Sequence, residues 1–242
     1  MGGYSLDVEH ARYNMVEQQI RTWQVHDADI LDTLSSVRRE DFVPPAWRNL
    51  AFSDLEIPLT IDGVATGESM LSPKLEARLL QSALPQRPDP ALNPVPGPVL
   101  DSVLDSVLEI GTGSGFMAAL LARFARTVIS CELHADLAGF ARANLERARV
   151  ANVSVKHCNG LMAAAADTFD LIVLSGSVQF VPETLLQRLN LHGRLIGIVG
   201  EYPLMSAERI TRTGEREFSS EKLFETAAPA LHEFPQRDRF RL

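Results

Sequence analysis

Short apolar runs alternate with amphipathic stretches over the second half of the chain. We predict strands at residues 103–110, 127–131, 153–157, 171–174 and 194–199, and helices at residues 116–125, 137–150 and 184–189. Because strands that are apolar throughout must be covered on both faces, this alternation predicts an α/β fold with a mostly parallel sheet and helices on both faces. Residues 207–226 contain two polar-alternating segments around Thr213-Gly214, which predict an antiparallel hairpin at the C-terminal edge.

The first part of the chain has a helical pattern instead. Apolar residues recur at helical spacing between residues 8 and 23 and again between residues 30 and 34. Residues 54–72 lack such a period and contain Pro58 and two glycines, so they are predicted to form an irregular loop. Pro73 suits the first turn of a further helix. We therefore predict an N-terminal helical region with one long loop at residues 1–84.

Six of the 14 prolines lie between residues 85 and 98. Proline has a fixed φ and no N–H donor, so this segment cannot be a helix interior or a central strand. We predict a proline-rich linker at residues 85–98, followed by the α/β domain at residues 99–242.

The composition narrows the classes of function. The 242 residues carry 23 Lys and Arg against 31 Asp and Glu, a net charge of −8, whereas binding nucleic acid or an anionic membrane needs clustered basic side chains. No apolar run approaches 18 residues, and the start of the chain has no basic segment followed by an apolar one, so neither a membrane span nor a signal peptide is predicted. Cys131 and Cys158 are too few for a disulfide scaffold or a metal site. A cytoplasmic protein without a metal is expected.

A glycine-rich turn closes the first predicted strand of the α/β domain, and an acidic residue ends the next strand. Glycines allow positive φ and a close approach of a ligand, and a helix N-terminus favours an anionic group. Glu132, 19 residues after Gly113, can accept hydrogen bonds from both ribose hydroxyls of a nucleoside bound where the strand order reverses. The predicted cofactor-binding residues here are Glu109, Gly111, Thr112, Gly113, Ser114, Gly115, Glu132 and Leu133.

Three interpretations of this turn differ in its ligand: none, a dinucleotide, or the nucleoside of S-adenosylmethionine. The spacing Gly-x-Gly-x-Gly, with an acid two residues before the first glycine, is more typical of S-adenosylmethionine-dependent methyltransferases than of dehydrogenases. Asn159 and Gly160 follow the third strand, where methyltransferases usually have an acid that holds the adenine amino group. The Asn159 side-chain oxygen can accept that hydrogen bond, although Asn before Gly is also a common turn.

Motifs over nearly the whole chain carry a more specific resemblance. They include Asn14-Met-Val-Glu-Gln-Gln-Ile-Arg21, Val37-Arg-Arg-Glu-Asp-Phe-Val-Pro44 and Leu108-Glu-Ile-Gly-Thr-Gly-Ser-Gly115. Together they resemble the protein-L-isoaspartate O-methyltransferase family. The resemblance implies a Rossmann-like methyltransferase fold and S-adenosylmethionine as the cofactor. It also implies methyl transfer to the carboxylate of isoaspartyl residues in damaged proteins.

The acceptor side departs from that family's pattern. The family's substrate loop reads Gly-Gln-Thr-Ile-Ser-Gln-Pro, whereas residues 67–73 read Gly-Glu-Ser-Met-Leu-Ser-Pro. Ser69 takes the threonine place and Leu71 the place of the substrate-binding serine, which Ser72 can replace only if the loop slips by one residue. After the fourth strand, Ser175-Gly-Ser177 stands where the family has Thr-Ala-Ala. The candidate acceptor-side residues are Ser69, Leu71, Ser72 and Ser175.

Methylation of a carboxylate does not require a catalytic base from the enzyme, because the carboxylate nucleophile is already ionised at pH 7. The six histidines are scattered along the sequence and are interpreted as surface or packing residues. Three functions stay open: a carboxyl methyltransferase acting on isoaspartyl proteins or peptides, a methyltransferase with another small acceptor, and a non-catalytic S-adenosylmethionine-binding protein. A monomer or weak dimer is expected.

Overall fold

The computed structural model describes the chain in three ranges, residues 2–85, 103–162 and 167–237. Nearly all of the predicted proline-rich linker at residues 85–98 lies outside these ranges, so the division of the chain into two regions stays a prediction. Within the described ranges, no helix is both long enough and apolar enough to cross a membrane.

Most of the first 50 residues form helical turns, as their periodicity predicts. Helix α1 spans Gly2–Asn14 and continues through a π-helical turn at Met15–Ile20 and a 3₁₀ turn at Arg21–Trp23; α2 spans Ala28–Ser36, and 3₁₀ turns follow at Arg39–Asp41 and Pro45–Leu50. Asp27 caps the N-terminus of α2, where its carboxylate accepts hydrogen bonds from the amides of Asp29 and Ile30 at 3.0 and 3.3 Å. Trp23 departs from the apolar pattern, because half of its surface is exposed.

Residues 57–70 form an antiparallel β-hairpin, so the prediction of an irregular loop is wrong. Strand β1 spans Ile57–Ile61 and β2 spans Val64–Met70. Asp62 and Gly63 join them with φ values of 50° and 81°, the conformation that a two-residue hairpin turn requires. Periodicity misses this hairpin because β2 consists mainly of small and polar residues that are exposed or half-buried on both faces.

A seven-stranded sheet forms the centre of the molecule. Its strands are β3 (Leu104–Ile110), β4 (Ala125–Glu132), β5 (Val153–His157), β6 (Phe169–Val178), β7 (Leu189–Glu201), β8 (Leu204–Arg212) and β9 (Phe218–Glu225). The accompanying helices are α3 (Pro73–Ala83), α4 (Phe116–Leu121), α5 (Ala135–Arg147) and α6 (Glu183–Leu186). The strand order is β5-β4-β3-β6-β7-β8-β9, parallel from β5 to β7 and antiparallel at β8 and β9. The predicted parallel sheet with an antiparallel C-terminal edge is confirmed.

The strand order reverses next to β3. The chain runs outward from β3 to β5 and then returns to place β6 on the other side of β3. Parallel strands end at the same edge of the sheet, and ligands bind in the crevice at such a reversal. The glycine turn after β3, Glu132 at the end of β4, Asn159 after β5 and Ser175 in the last part of β6 therefore meet at one edge.

Apolar layers cover both faces of the sheet. The larger layer includes α3, α4 and α5 together with buried side chains of the N-terminal region, and the smaller one includes Leu185 of α6. All six residues of α4 are buried. The Phe42 and Phe116 rings meet edge to face at 5.5 Å, which joins the N-terminal region to the helix that follows the glycine turn.

Candidate active site

The glycine turn follows a backbone path that favours glycine. Gly111, Gly113 and Gly115 have φ values of 95°, 53° and 85°, all in the left-handed region. A Cβ on Gly115 would lie 3.3 Å from the Cβ of Ala141, so this third glycine permits close packing of α4 on α5. Gly111 and Gly113, unlike Gly115, line the cleft at the sheet edge.

Glu132 is fixed in place by two backbone amides. Its Oε2 accepts from the Gly113 amide at 2.8 Å and its Oε1 from the His134 amide at 3.0 Å. The residue is only 5% exposed and lines the cleft. Each carboxylate oxygen has a second acceptor site, so a held carboxylate of this kind can bind a pair of hydroxyl donors.

Glu109 lies beneath the turn rather than in the cleft. It is fully buried, accepting from Ser175 Oγ at 2.8 Å and from Ser130 Oγ at 2.6 Å. Ser130 Oγ is in turn 2.6 Å from Thr112 Oγ1. Burial raises the pKa of Glu109 to about 8, against the opposing effect of the two serine hydroxyls. Glu109 therefore positions Ser175 and the turn, and the structure does not bring it to the ligand space.

This raised pKa predicts a pH-dependent stability. The folded state keeps a proton on Glu109 that the unfolded chain, with an ordinary pKa near 4.5, has already lost, so stability falls as the pH rises from about 5 to 8. In Glu109→Gln we expect this fall to be shallower, by about 1 kcal/mol per pH unit. Urea unfolding of the cofactor-free protein between pH 5 and 8 measures it. Parallel curves for the two proteins would contradict the prediction.

The cleft at the sheet edge encloses about 690 Å³, part of it open to solvent. The predicted residues that line it are Ser69, Leu71, Gly111, Gly113, Glu132, Leu133, Asn159, Gly160 and Ser175. The predicted residues that lie outside its lining are Ser72, Glu109, Thr112, Ser114 and Gly115.

The register of the acceptor loop is fixed on both sides of Leu71. Met70 pairs with Ile57 in the hairpin, and Pro73 starts α3. The Leu71 carbonyl accepts from Nη2 of the buried Arg39 at 2.8 Å. Leu71 lines the cleft and is only 4% exposed, whereas Ser72 precedes α3 outside the lining. The one-residue slip that would bring Ser72 to the site is absent from this structure.

A C-terminal strap, residues 228–237, crosses the cleft and was missed by the sequence analysis. Ser177 bonds to it through three contacts, with the Pro229 carbonyl at 2.7 Å, the Leu231 amide at 2.8 Å and the Ala228 carbonyl at 2.9 Å. A Cβ on Gly111 would lie 2.7 Å from Leu231 Cδ2, so the strap closes over the turn. The strap follows the last hairpin without periodicity, so no pattern in the sequence could place it.

Glu68 and His134 also line the cleft without having been predicted. His134 stands two residues after Glu132 at the carboxyl end of a strand, which is a signal that could have identified it. Glu68 belongs to the hairpin predicted as an irregular loop, so its direction was not predictable.

Cys131 and Cys158 line the same cleft as free thiols. Burial, with a smaller effect of Cys158, raises the pKa of Cys131 to about 12, so its thiol stays protonated. This agrees with the interpretation of Cys131 as a small apolar side chain. Among the described residues, no group of three or more His, Cys, Asp or Glu side chains is arranged to hold a metal ion.

The chain matches a family of known proteins over most of its length. The family model described as protein-L-isoaspartate(D-aspartate) O-methyltransferase matches residues 10–228. A protein-L-isoaspartate O-methyltransferase from Rhodopseudomonas palustris is 34% identical over 211 residues, covering 86% of this chain and 87% of that protein. One from Koribacter versatilis is 31% identical over 205 residues, covering 84% of this chain and 81% of the relative.

Solved structures show the same fold. A protein-L-isoaspartate O-methyltransferase from Plasmodium falciparum, solved with S-adenosyl-L-homocysteine, superimposes with a TM-score of 0.73 at 20% identity, covering 92% of this chain and 99% of that one. At this identity the likeness concerns the fold alone, whereas the family model and the two bacterial relatives establish descent. The chain therefore belongs to the protein-L-isoaspartate(D-aspartate) O-methyltransferase family of S-adenosylmethionine-dependent carboxyl methyltransferases.

Proposed function

We propose that this chain transfers a methyl group from S-adenosylmethionine to the carboxylate of isoaspartyl residues in proteins and peptides. The observation that carries the proposal is a single cleft lined both by the glycine turn with Glu132 and by Ser69 and Leu71 of the acceptor hairpin. Family membership supplies the reaction class, and this shared cleft supports assigning the two halves of the reaction to these residues.

The residues on the cofactor side fit S-adenosylmethionine. Gly111 and Gly113 place bare backbone in the lining of the cleft, and the carboxylate of Glu132 has acceptor sites left for two ribose hydroxyls. Asn159 is partly committed, because its Oδ1 accepts from the Leu161 amide at 2.9 Å and its Nδ2 donates to Glu233 at 2.8 Å. When bound, S-adenosylmethionine supplies an electrophilic methyl group on a sulfonium.

The task of the protein is then to position the acceptor and exclude water. An isoaspartyl carboxylate is ionised at pH 7, so alignment in a closed site can supply most of the rate enhancement without a general base. Leu71 and Leu231 contribute apolar surface to the cleft, and Ser175 Oγ is held by Glu109 at its edge. We assign Ser69, Leu71 and Ser175 to the acceptor side.

The direct test is methyl transfer to a synthetic isoaspartyl peptide. The purified protein is incubated with S-adenosylmethionine labelled on its methyl group, and the same peptide with an ordinary aspartyl residue serves as control. A carboxyl methyl ester releases labelled methanol in mild alkali. We expect alkali-labile label on the isoaspartyl peptide alone. Binding of S-adenosylhomocysteine without any transfer would reject the proposed acceptor.

Leu71→Ser is expected to raise kcat/KM for the isoaspartyl peptide by about tenfold, because a hydroxyl at this place can donate to the acceptor carboxylate. The same change removes a buried side chain and is expected to cost about 2–4 kcal/mol of stability. Leu71→Ala is the matched control, since it opens similar space without a hydroxyl. Steady-state kinetics and urea unfolding measure both effects. An equal gain in the two variants would reject the hydroxyl's role.

Leu71 also favours a second candidate, a methyltransferase with another acceptor. A buried leucine offers no hydrogen bond to a carboxylate, so an acceptor with an apolar group at this point suits the cleft as well. Labelled S-adenosylmethionine added to a fractionated cell extract, with and without the protein, separates the two candidates by the size and alkali lability of the labelled product.

The cytoplasmic location and the monomeric or weakly dimeric state stay predictions.

A further inference from the structure

Glu68, His134 and His232 form a polar cluster in the lining of the cleft. Glu68 Oε1 lies 3.0 Å from His232 Nε2 and 3.3 Å from His134 Nε2. The two imidazole rings meet edge to face with centroids 6.3 Å apart. Three segments far apart in sequence contribute to it: strand β2, the residue before α5, and the C-terminal strap. A single carboxylate oxygen therefore orients both imidazoles.

The remaining lining of the cleft is short of positive charge. Glu68 and Glu132 are its acidic residues, and in the described part of the chain no lysine or arginine lines it. A carboxylate acceptor entering this space meets two negative charges. The two histidines are the lining side chains that can carry positive charge near neutral pH.

Both imidazoles remain accessible on the side away from Glu68. His134 has 46% of its side chain exposed and His232 has 61%, whereas Glu68 has only 22% exposed. The Nε2 atoms face Glu68, so the Nδ1 atoms are left for another partner. A protonated imidazole donates from both nitrogens, which lets one ring join Glu68 to a second carboxylate.

We propose that His134 and His232, oriented by Glu68, bind the carboxylate of the methyl acceptor. The proposal rests on the proposed function, since it concerns how an isoaspartyl acceptor is held. It assigns recognition of the acceptor carboxylate to two imidazoles, because Leu71, the loop residue that lines the cleft, offers this carboxylate no side-chain hydrogen bond. In the array formed on binding, each imidazolium stands between the Glu68 carboxylate and the acceptor carboxylate, so both of these carboxylates have a cationic neighbour.

This assignment fixes the sign of a pH effect. Binding of an acceptor carboxylate favours protonated imidazoles, so affinity is expected to fall with rising pH. Other titratable groups lie on the segments that surround the cluster. They are Glu132 at the end of β4, Asp136 in the first turn of α5, His157 beside the Leu133 carbonyl and Glu233 on the strap.

The test measures binding of a fluorescently labelled isoaspartyl peptide to protein saturated with S-adenosylhomocysteine, by anisotropy between pH 5.5 and 8.5. The peptide is N-acetylated and C-terminally amidated and has no other ionisable group, so that the isoaspartyl carboxylate is its only charge. For the wild-type protein we expect Kd to rise about tenfold between pH 6 and 8. For His134→Gln/His232→Gln we expect a Kd at pH 6 that is about tenfold higher and changes little with pH.

His26→Gln is the matched control, because His26 is exposed and lies outside the cleft lining. It should bind the peptide like the wild-type protein, and all variants should bind S-adenosylhomocysteine equally. An unchanged Kd in the double variant, or a wild-type Kd that falls with rising pH, would overturn the proposal. A kcat loss in the double variant without any change in Kd would assign the histidines to proton transfer and also overturn it. Absence of methyl transfer despite pH-dependent binding would reject the proposed function alone.

Discussion

Glu132→Ala is expected to weaken binding of S-adenosylhomocysteine by about 100-fold. The buried carboxylate is held by the Gly113 and His134 amides and lines the cleft, so it is placed to accept from both ribose hydroxyls. Two charge-assisted hydrogen bonds to a carboxylate, allowing for water that fills the space in the variant, account for a loss of about 2.7 kcal/mol. Isothermal titration calorimetry at pH 7 measures the affinity.

Two further variants test whether the loss of affinity in Glu132→Ala is due to the missing Glu132 carboxylate. Glu146→Ala removes an exposed carboxylate from α5 and should leave the affinity unchanged. Glu132→Gln keeps the shape but places an NH₂ group against one of the two amide donors, so an intermediate loss is expected. The urea midpoint of each protein without ligand shows whether the turn still folds. A Glu132→Ala protein that is folded and binds within threefold of wild type would exclude the ribose contact.

The cofactor side could be predicted because its residues follow from strand chemistry and local turns. The glycine turn, Glu132 and Asn159 each stand at the carboxyl end of a strand that the sequence predicts. Parallel topology then brings these ends together whatever the details of packing. The same reasoning could not tell that Glu109 lies beneath the turn, because the end of β3 is buried on both faces and shows no apolar–polar alternation.

The acceptor side could not be predicted to the same extent, because it is assembled from segments without a periodic pattern. Strand β2 has no apolar alternation, and the strap that carries His232 has no regular secondary structure over most of its length. The scattered positions of the histidines predict surface or packing residues, yet His134 and His232 converge on Glu68 across more than 160 residues of sequence. Only the tertiary fold contains that information.

Arg39 links this acceptor side to the core. It is fully buried, with Nε donating to the Ala51 carbonyl at 3.0 Å and Nη2 donating to the Leu71 carbonyl at 2.8 Å. Nη1 pairs with the buried carboxylate of Glu76 on α3, and the guanidinium lies 4.9 Å from the centroid of the Phe116 ring. The Arg39 side chain therefore donates to two loop carbonyls and pairs with the buried carboxylate of Glu76. One of the two carbonyls belongs to Leu71, which lines the cleft.

Arg39→Met is accordingly expected to destabilise the protein by about 3–5 kcal/mol at pH 8, because it leaves Glu76 buried without its cation. Burial raises the pKa of Glu76 to about 7 even with Arg39 opposing it, so at pH 5.5 the acid is neutral in the variant and the loss should be smaller. Arg38→Met is the matched control, because Arg38 is 59% exposed and its ion pairs with Glu40 and Asp41 are worth at most about 1 kcal/mol. Urea unfolding at the two pH values measures both, and equal losses in the two variants would show that the buried pair does not anchor the acceptor loop.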